Sequence, residues 1–180
     1  MKNSTIALSA IALLLLVGCS EQTSTKSATT GAAPATPKIK NLALTKDLPT
    51  DIKGLPFVLA GKCAVDIINK PQESEVVTVN RTDGLNIDGW AFDDENASVP
   101  PVVALQLVKG DERYYALLNR HGGREDLTKA FGKPEFSNAG YAGSVDIATL
   151  PGGQYEILVI QKGESKNMVC STYRKLELKS

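Results

Sequence analysis

A short cationic segment offers the clearest opportunity for ligand chemistry in this sequence. Arg120, His121 and Arg124 flank the pair Gly122-Gly123. Arginine binds carboxylates through paired hydrogen bonds, and glycines allow backbone amides to turn toward an anion. The segment therefore predicts a binding loop for a sugar acid or for an acidic side chain of a partner protein. The alternative is structural: Arg124 pairs with Asp126 or caps a short helix, and Arg120 is simply exposed.

Aromatic side chains provide a second candidate contact surface. Tyr114 and Tyr115 are adjacent in a predicted strand, and Trp90 is the only tryptophan. Because successive side chains of a strand point to opposite faces, one of the two tyrosines should face outward. We predict that this exposed ring contacts a ligand, whereas a single tryptophan in a β domain is more often part of the core.

The sequence contains no recognisable catalytic motif. Ser144 comes after the second glycine of Gly140-Tyr141-Ala142-Gly143 and so does not match Gly-x-Ser-x-Gly. There is no His-Glu-x-x-His, phosphate loop or dinucleotide fingerprint either. His121 would need a serine and a carboxylate from elsewhere in the fold to act as a general base. We predict that the protein is not an enzyme and needs no cofactor, and a hydrolase built around His121 is the weaker alternative.

Residues 88–96 carry several oxygen ligands of the kind that calcium binds. They are Asp88, Asp93, Asp94, Glu95 and Asn96. Their order matches no EF-hand loop. We predict a solvated acidic turn and no metal site, with calcium binding as the alternative.

The first residues have the pattern of an export signal. Lys2 precedes an apolar run over residues 6–17, and Gly18-Cys19 follow. This run is too short for a membrane-spanning helix, which needs roughly 20 residues. The segment resembles the lipobox signal of bacterial lipoproteins. That resemblance implies that residues 1–18 are removed and that Cys19 carries a lipid anchor. The alternative is an ordinary signal peptide with a chance cysteine.

The segment after the signal reads as a flexible linker. By the same resemblance, Ser20 in place of an aspartate implies transport to the outer membrane. Residues 19–41 are rich in Ser, Thr, Ala and Pro and contain almost no large apolar residue. A flexible chain of this length has an average reach of roughly 25 Å. We therefore expect a single domain over residues 42–180, held near the membrane in the periplasm or at the cell surface.

Two cysteines remain beyond the lipidation site, Cys63 and Cys170. In an exported protein such an even pair predicts a disulfide. The alternative is a redox or metal-binding thiol pair, but the chain has no Cys-x-x-Cys motif and a single histidine. We predict a disulfide between Cys63 and Cys170.

Short β-strands separated by turns dominate the remaining pattern. Alternating and β-branched runs predict strands over residues 63–68, 75–80, 85–92, 102–108, 114–119, 143–147, 154–161 and 167–178. Asp83-Gly84 and Lys109-Gly110-Asp111 predict tight hairpins. Residues 125–131 predict a short helix that ends at Gly132.

Several of these segments resemble known domain motifs. Leu150-Pro151-Gly152-Gly153-Gln154-Tyr155 resembles the tyrosine corner of immunoglobulin-like and fibronectin-like domains, with one residue fewer between the leucine and the tyrosine. Gly89-Trp90-Ala91-Phe92-Asp93 and Ala139-Gly140-Tyr141 are similar to elements of Ig-like domains of bacterial surface proteins. The resemblance implies an all-β fold, a single immunoglobulin-like antiparallel β-sandwich of about seven to eight strands with one short helix. It implies architecture and no activity.

The charge balance and the predicted export signal together limit the possible functions. The chain has 20 basic and 20 acidic residues, and it offers no basic stripe for nucleic acid. We expect an outer-membrane-anchored lipoprotein whose domain is a non-catalytic binding or accessory module that engages an envelope protein or a glycan through loops. The alternative is a periplasmic inhibitor or immunity-type lipoprotein that blocks an enzyme with one loop.

Overall fold

A computed structural model describes residues 42–71 and 73–179 of the chain. The predicted signal peptide, Cys19 and the linker lie outside the described residues. The fold is mostly β, with strands β1 (Phe57–Leu59), β2 (Lys62–Ile68), β3 (Lys70–Pro71), β4 (Val76–Asn80), β5 (Leu85–Phe92), β6 (Val103–Lys109), β7 (Glu112–His121), β8 (Gly140–Val145), β9 (Gly153–Lys162) and β10 (Asn167–Lys179). The α-helix is α1 (Glu125–Phe131), and 3-10 turns cover Thr50–Ile52, Arg81–Asp83 and Pro134–Asn138. In this part of the chain, no helix has the length and apolar composition that crossing a membrane requires.

All eight predicted strands are confirmed, with bounds that differ by a few residues at most. In β4 the alternation is visible directly, because Val77 and Val79 are buried between exposed neighbours. The described chain has ten strands rather than seven or eight. The additional strands are β1 and β3, which have three and two residues and are too short to show a period-2 pattern. The helix is confirmed as well, and Gly132 ends it at φ 67°.

The strands form one curled sheet in the order β1-β10-β9-β6-β7-β8-β5-β2-β3, and β4 pairs with β10. The curl depends on β7, which pairs with β6 from Glu112 to Leu118 and then with β8 from Asn119 to His121. The apolar faces of both halves therefore meet inside the curl. Leu105 and Tyr141 are fully buried there. This burial supplies the main stabilisation of the fold.

The predicted disulfide is confirmed. Cys63 lies on β2 and Cys170 on β10, with their Cα atoms 6.1 Å apart. These two strands are not hydrogen-bonded neighbours and stand near opposite ends of the strand order. The disulfide therefore joins the two ends of the curled sheet across the core.

One predicted hairpin is confirmed and the other is wrong. Lys109 pairs with Glu112 across the turn at Gly110, whose φ is 58°. At Asp83-Gly84, by contrast, a 3-10 turn leads into β5, and β4 pairs in parallel with β10, with Val77 opposite Leu176. Gly84 still needs its positive φ of 68°, but it redirects the chain and does not close a two-residue turn. Burial of the valines of β4 beside β10 decided the pairing.

The corner before β9 has a buried tyrosine that bonds back along the chain. The Tyr155 hydroxyl donates a hydrogen bond of 2.7 Å to the carbonyl of Pro151. The ring is fully buried, as is Leu150 at the start of the corner. Burial, as the largest cause, raises the pKa of Tyr155 to about 12.

Replacing Tyr155 with phenylalanine should cost about 1 kcal/mol at neutral pH, because the hydrogen bond is lost. It should also change the response to alkali. The folded pKa of about 12 exceeds the unfolded value of 10.0, so the native protein gains stability below pH 10 that is lost as the pH rises toward 12. Urea unfolding at several pH values should show a shallower alkaline decline for Tyr155→Phe. Parallel profiles for the two proteins would contradict this expectation.

Candidate functional site

Arg120 is half-buried and not simply exposed. Its Nη1 donates hydrogen bonds to the carbonyls of Ala91 (2.7 Å) and Ala139 (2.9 Å), and its Nε donates to the carbonyl of Pro100 (2.9 Å). Burial lowers the pKa of Arg120 to about 10. Because Pro100 belongs to the connection between β5 and β6, Arg120 supports this connection from inside.

Arg124 is held by carboxylates of this chain itself. Its Nε and Nη2 donate to the two oxygens of Asp126 at 3.0 and 2.8 Å, and its Nη1 donates to Asp66 at 2.9 Å. The hydrogen bonds that Arg124 donates to Asp126, as the largest cause, hold the pKa of Arg124 above its usual value. The alternative pairing with Asp126 is therefore the observed one. Arg124 has its acidic partners already and presents little charge to an external anion.

His121 lies across strand β8 and meets Asp88 on the next strand. Its Nε2 is 3.2 Å from Asp88 Oδ2, and its Nδ1 is 2.8 Å from the carbonyl of Gly122. The imidazole can lie there because Gly140 has no side chain, and a Cβ at Gly140 would come within 2.4 Å of the ring. Ser144 is four residues farther along β8, about 13 Å from Gly140. His121 and Ser144 are thus too far apart for a hydrogen bond.

Neither Tyr114 nor Tyr115 is exposed. The two rings do point to opposite faces of β7, as pleating requires, but 6% and 9% of their surfaces are accessible. Tyr114 belongs to the main core. Tyr115 packs with Ile52 on the second face of the sheet, where the backbone of Thr45 forms two hydrogen bonds with its own backbone. The segment before β1 covers this face. The sequence of that segment has no periodic pattern from which the cover could be predicted.

Trp90 belongs to an aromatic cluster beside helix α1. It stacks on Phe92 with ring centroids 5.2 Å apart, and Phe92 stacks on Phe136 at 3.9 Å. Phe131 of the helix meets Phe92 edge to face at 4.9 Å. The residues Ala97 and Val99 of the β5–β6 connection pack against the same cluster. Trp90 is half-buried, and its cluster supports the connection together with Arg120.

The acidic residues of the stretch 88–96 have separate partners. Asp93 is buried, and its carboxylate accepts hydrogen bonds from the amides of Glu95 and Asn96 and from the Asn96 side chain. Asp94 lies 3.6 Å from Lys62, and Glu95 lies 3.1 Å from Lys166. In the described ranges, no group of three metal-ligating side chains is placed to hold a metal ion. The stretch is a hydrogen-bonded turn, with Asp93 inside rather than solvated.

The best-formed candidate site is a cleft between two loops, which we name the loop-end cleft. One wall is residues 93–102, which connect β5 to β6, and the other is the β9–β10 hairpin at residues 162–168. Its volume of about 850 Å³ is within the range of ligand-binding pockets. The apolar residues that line it are Val99, Pro100, Pro101, Val102 and Met168. The polar ones are Asp93, Asn96, Ser98, Lys162, Glu164, Ser165 and Lys166.

The first wall of the loop-end cleft is held by a tight turn. Asp93 and Ser98 exchange two backbone hydrogen bonds, of 2.9 and 3.0 Å. Between them Ala97 has a φ of 49°, a left-handed conformation that is costly for a residue other than glycine. The strain persists because the surrounding bonds determine the turn. This wall is therefore ordered before any ligand arrives.

The second wall is tied both to the first wall and to the body of the domain. The amide of Gly163 donates to the carbonyl of Lys166 (2.9 Å), and the amide of Lys162 donates to the carbonyl of Val102 (3.1 Å). Buried Asn167 donates from Nδ2 to the carbonyl of Ile52 (2.7 Å). A preformed cleft loses less entropy when it binds. The arrangement suits binding of a ligand that has an apolar part and an acidic group within reach of Lys162, since Lys166 is already paired with Glu95.

Sequence reasoning missed the loop-end cleft. The available signals were Val99-Pro100-Pro101-Val102 between two predicted strands and the turn Lys162-Gly163-Glu164-Ser165-Lys166. Both predict connections, but nothing local in them indicates that loops some sixty residues apart meet at one end of the sheet. Of the predicted site residues, only Arg120 contributes to the loop-end cleft, through its hydrogen bond to the carbonyl of Pro100.

Comparison with known proteins assigns no ligand to this cleft. No protein-family model matches the chain, and no curated protein matches its sequence.

Proposed function

We propose that this protein is an outer-membrane-anchored lipoprotein whose β domain is a non-catalytic binding module for an envelope protein or a glycan. The anchor is argued from the sequence: Lys2, the apolar run of residues 6–17 and Cys19 resemble a lipobox signal. The linker of residues 19–41 gives the domain its reach. A disulfide between Cys63 and Cys170 suits a compartment outside the cytoplasm.

We further propose that the curled sheet is an immunoglobulin-like sandwich. Two antiparallel groups support this assignment, β2-β5-β8 and β10-β9-β6-β7. The bond from Tyr155 to Pro151 is the kind of contact that defines a tyrosine corner. In such sandwiches the loops cluster at the two ends, which is where binding sites are commonly built.

The observation that carries the proposed binding function is the loop-end cleft. Its two walls are ordered by their own hydrogen bonds and supported by Arg120 and the aromatic cluster. Ala97 is strained and the Arg120 guanidinium is largely buried even without a ligand. Both features cost stability, and both hold the shape of the cleft. Lys162 favours a ligand with an acidic group, and the proline and valine lining favours an apolar part beside it.

A photoreactive amino acid at Ser165, inside the loop-end cleft, tests this function in cells that carry the full chain. Irradiation should produce a covalent adduct with the partner. The matched control is the same amino acid at Asp111, which is exposed in the β6–β7 turn at the opposite end of the sheet, and it should produce none. Fractionation of the same cells should place the protein with the outer membrane, and Cys19→Ala should release it into the soluble fraction.

The identity of the adduct also distinguishes an accessory module from an enzyme inhibitor. An outer-membrane protein or a glycan joined at Ser165 supports the accessory role. A single soluble enzyme joined there, with its activity blocked, would replace it by the inhibitor role. Equal adducts from both positions, or none from Ser165, would contradict binding at the loop-end cleft. A Cys19→Ala protein that stays with the membrane would contradict the lipid anchor but not binding at the loop-end cleft.

A further inference from the structure

Strand β10 contains a bulge that interrupts its pairing with β9. Ser171 pairs with Leu158 and Lys175 pairs with Glu156, so residues 172–174 lie opposite the single residue Ile157. Bulges redirect a side chain at a defined point of a strand and occur next to binding and active sites. The residue at the centre of this bulge is Tyr173.

Side-chain hydroxyls hold the bulge in place. Buried Thr172 donates from Oγ1 to the carbonyl of Ile157 (2.7 Å) and accepts from the amide of Arg174 (3.2 Å). Ser171 Oγ accepts from the amide of Tyr173 (3.3 Å). Arg174 donates from its guanidinium to the carbonyl of Ser74. The bulge is thus a bonded structure and not a frayed part of the strand.

Tyr173 combines backbone strain with exposure. Its φ is 57°, in the left-handed region that disfavours bulky residues. Such strain costs of the order of 1–3 kcal/mol. The ring gains little burial in return, because it is 83% exposed. Folding alone therefore gives no reason for a tyrosine here, and an exposed aromatic ring in a strained position points to contact with a ligand.

The ring stands at a cleft of about 600 Å³ with a mixed polar lining, which we name the Tyr173 cleft. Glu73, Glu75 and Glu156 supply acceptors, while Arg174 and Lys175 supply donors. Glu75 and Lys175 are 3.7 Å apart, so their charges partly compensate each other. A lining of both signs suits a neutral ligand with many hydroxyl groups better than it suits an ion.

We propose that the Tyr173 cleft binds a sugar ring of a neutral glycan. The apolar face of the sugar lies on the Tyr173 ring, and its hydroxyls donate to the glutamates and accept from Arg174 or Lys175. This site is separate from the loop-end cleft and does not depend on the function proposed for it.

An array of neutral and charged glycans, probed with the labelled full chain in detergent micelles, tests the proposal. The wild type should bind neutral members of the array, and titration of the best oligosaccharide should give its Kd. Tyr173→Ala should weaken that Kd at least tenfold, whereas Tyr173→Phe, which keeps the ring, should stay within about threefold. Leu59→Ala is the matched control, because Leu59 is also exposed and apolar but lies on β1 outside the cleft. Lys162→Ala in the loop-end cleft should also leave the Kd unchanged.

Tyr173→Gly guards against a loss of binding caused by misfolding. Glycine adopts a φ of 57° without strain, so this variant should melt at or above the wild-type temperature and still fail to bind. A wild type that binds no neutral glycan on the array overturns the proposal. Unchanged affinity in Tyr173→Ala and Tyr173→Gly overturns it too, as does selective binding of charged glycans alone.

Discussion

Replacing both Cys63 and Cys170 with alanine should lower the free energy of unfolding by about 2–5 kcal/mol. The disulfide closes a loop with a sequence separation of 107 residues, so the unfolded chain with the disulfide has far fewer conformations than the chain without it. It also joins β2 and β10, which share no hydrogen-bond ladder. The loss should be measured by urea unfolding of the full chain under non-reducing conditions.

Reduction of the wild type serves as the control for this prediction. Denaturation in excess dithiothreitol should bring the wild type to the stability of the double variant and leave the double variant unchanged. A difference of less than about 1 kcal/mol between oxidised wild type and double variant would show that the strand contacts alone hold the two ends of the sheet together.

Gly89→Ala should destabilise the protein by about 3 kcal/mol or more. Gly89 lies in the middle of β5 and pairs with Val65 of β2 and Tyr141 of β8. An added Cβ would come within 2.1 Å of the backbone carbonyl oxygen of Ala64 and within 2.6 Å of the Tyr141 hydroxyl. Backbone atoms cannot yield as the end of a flexible side chain can. The ladder between β2 and β5 must therefore open, and the bond from Tyr141 to Ala64 must break.

Gly122→Ala is the matched glycine control. A Cβ there would meet only the side-chain oxygen of Asn138 at 3.1 Å and the carbonyl oxygen of Ser137 at 3.7 Å, and Gly122 is not among the glycines with positive φ. Its stability should stay within about 0.5 kcal/mol of the wild type in the same urea experiment. Similar losses for both variants would mean that the close approach at Gly89 is not the cause.

The elements of the domain were predictable because their causes are local. The alternation in residues 85–92 follows from the pleat, and the end of the helix at Gly132 follows from the left-handed conformation that a glycine adopts without strain. The hairpin at Asp83-Gly84 was predicted wrongly by the same reasoning. Turn residues such as Asp83-Gly84 predict only that the chain changes direction. Burial of Val77 and Val79 against distant residues decides which strand pairs with β4.

The candidate binding residues were far less predictable. A cationic segment indicates anion binding only if its charges are free, and Asp66, which holds Arg124, is 58 residues away in the sequence. One of Tyr114 and Tyr115 was expected outside, and Tyr115 is buried because the cover over its face comes from a segment without periodicity. The strained Tyr173 lies in a run that reads as ordinary strand, so its exposure had no local signal at all.

The sequence by itself determined eight of the ten described strands, the short helix, the turn at Gly110 and the pairing of Cys63 with Cys170. These depend on backbone conformation and on the number of available thiols, which neighbouring residues and composition reveal. Only the tertiary structure decided that β7 joins both halves of the sheet, that Arg120 supports a loop, and that residues 93–102 and 162–168 enclose a cleft. Those outcomes depend on which distant surfaces bury each other, and that competition involves the whole chain at once.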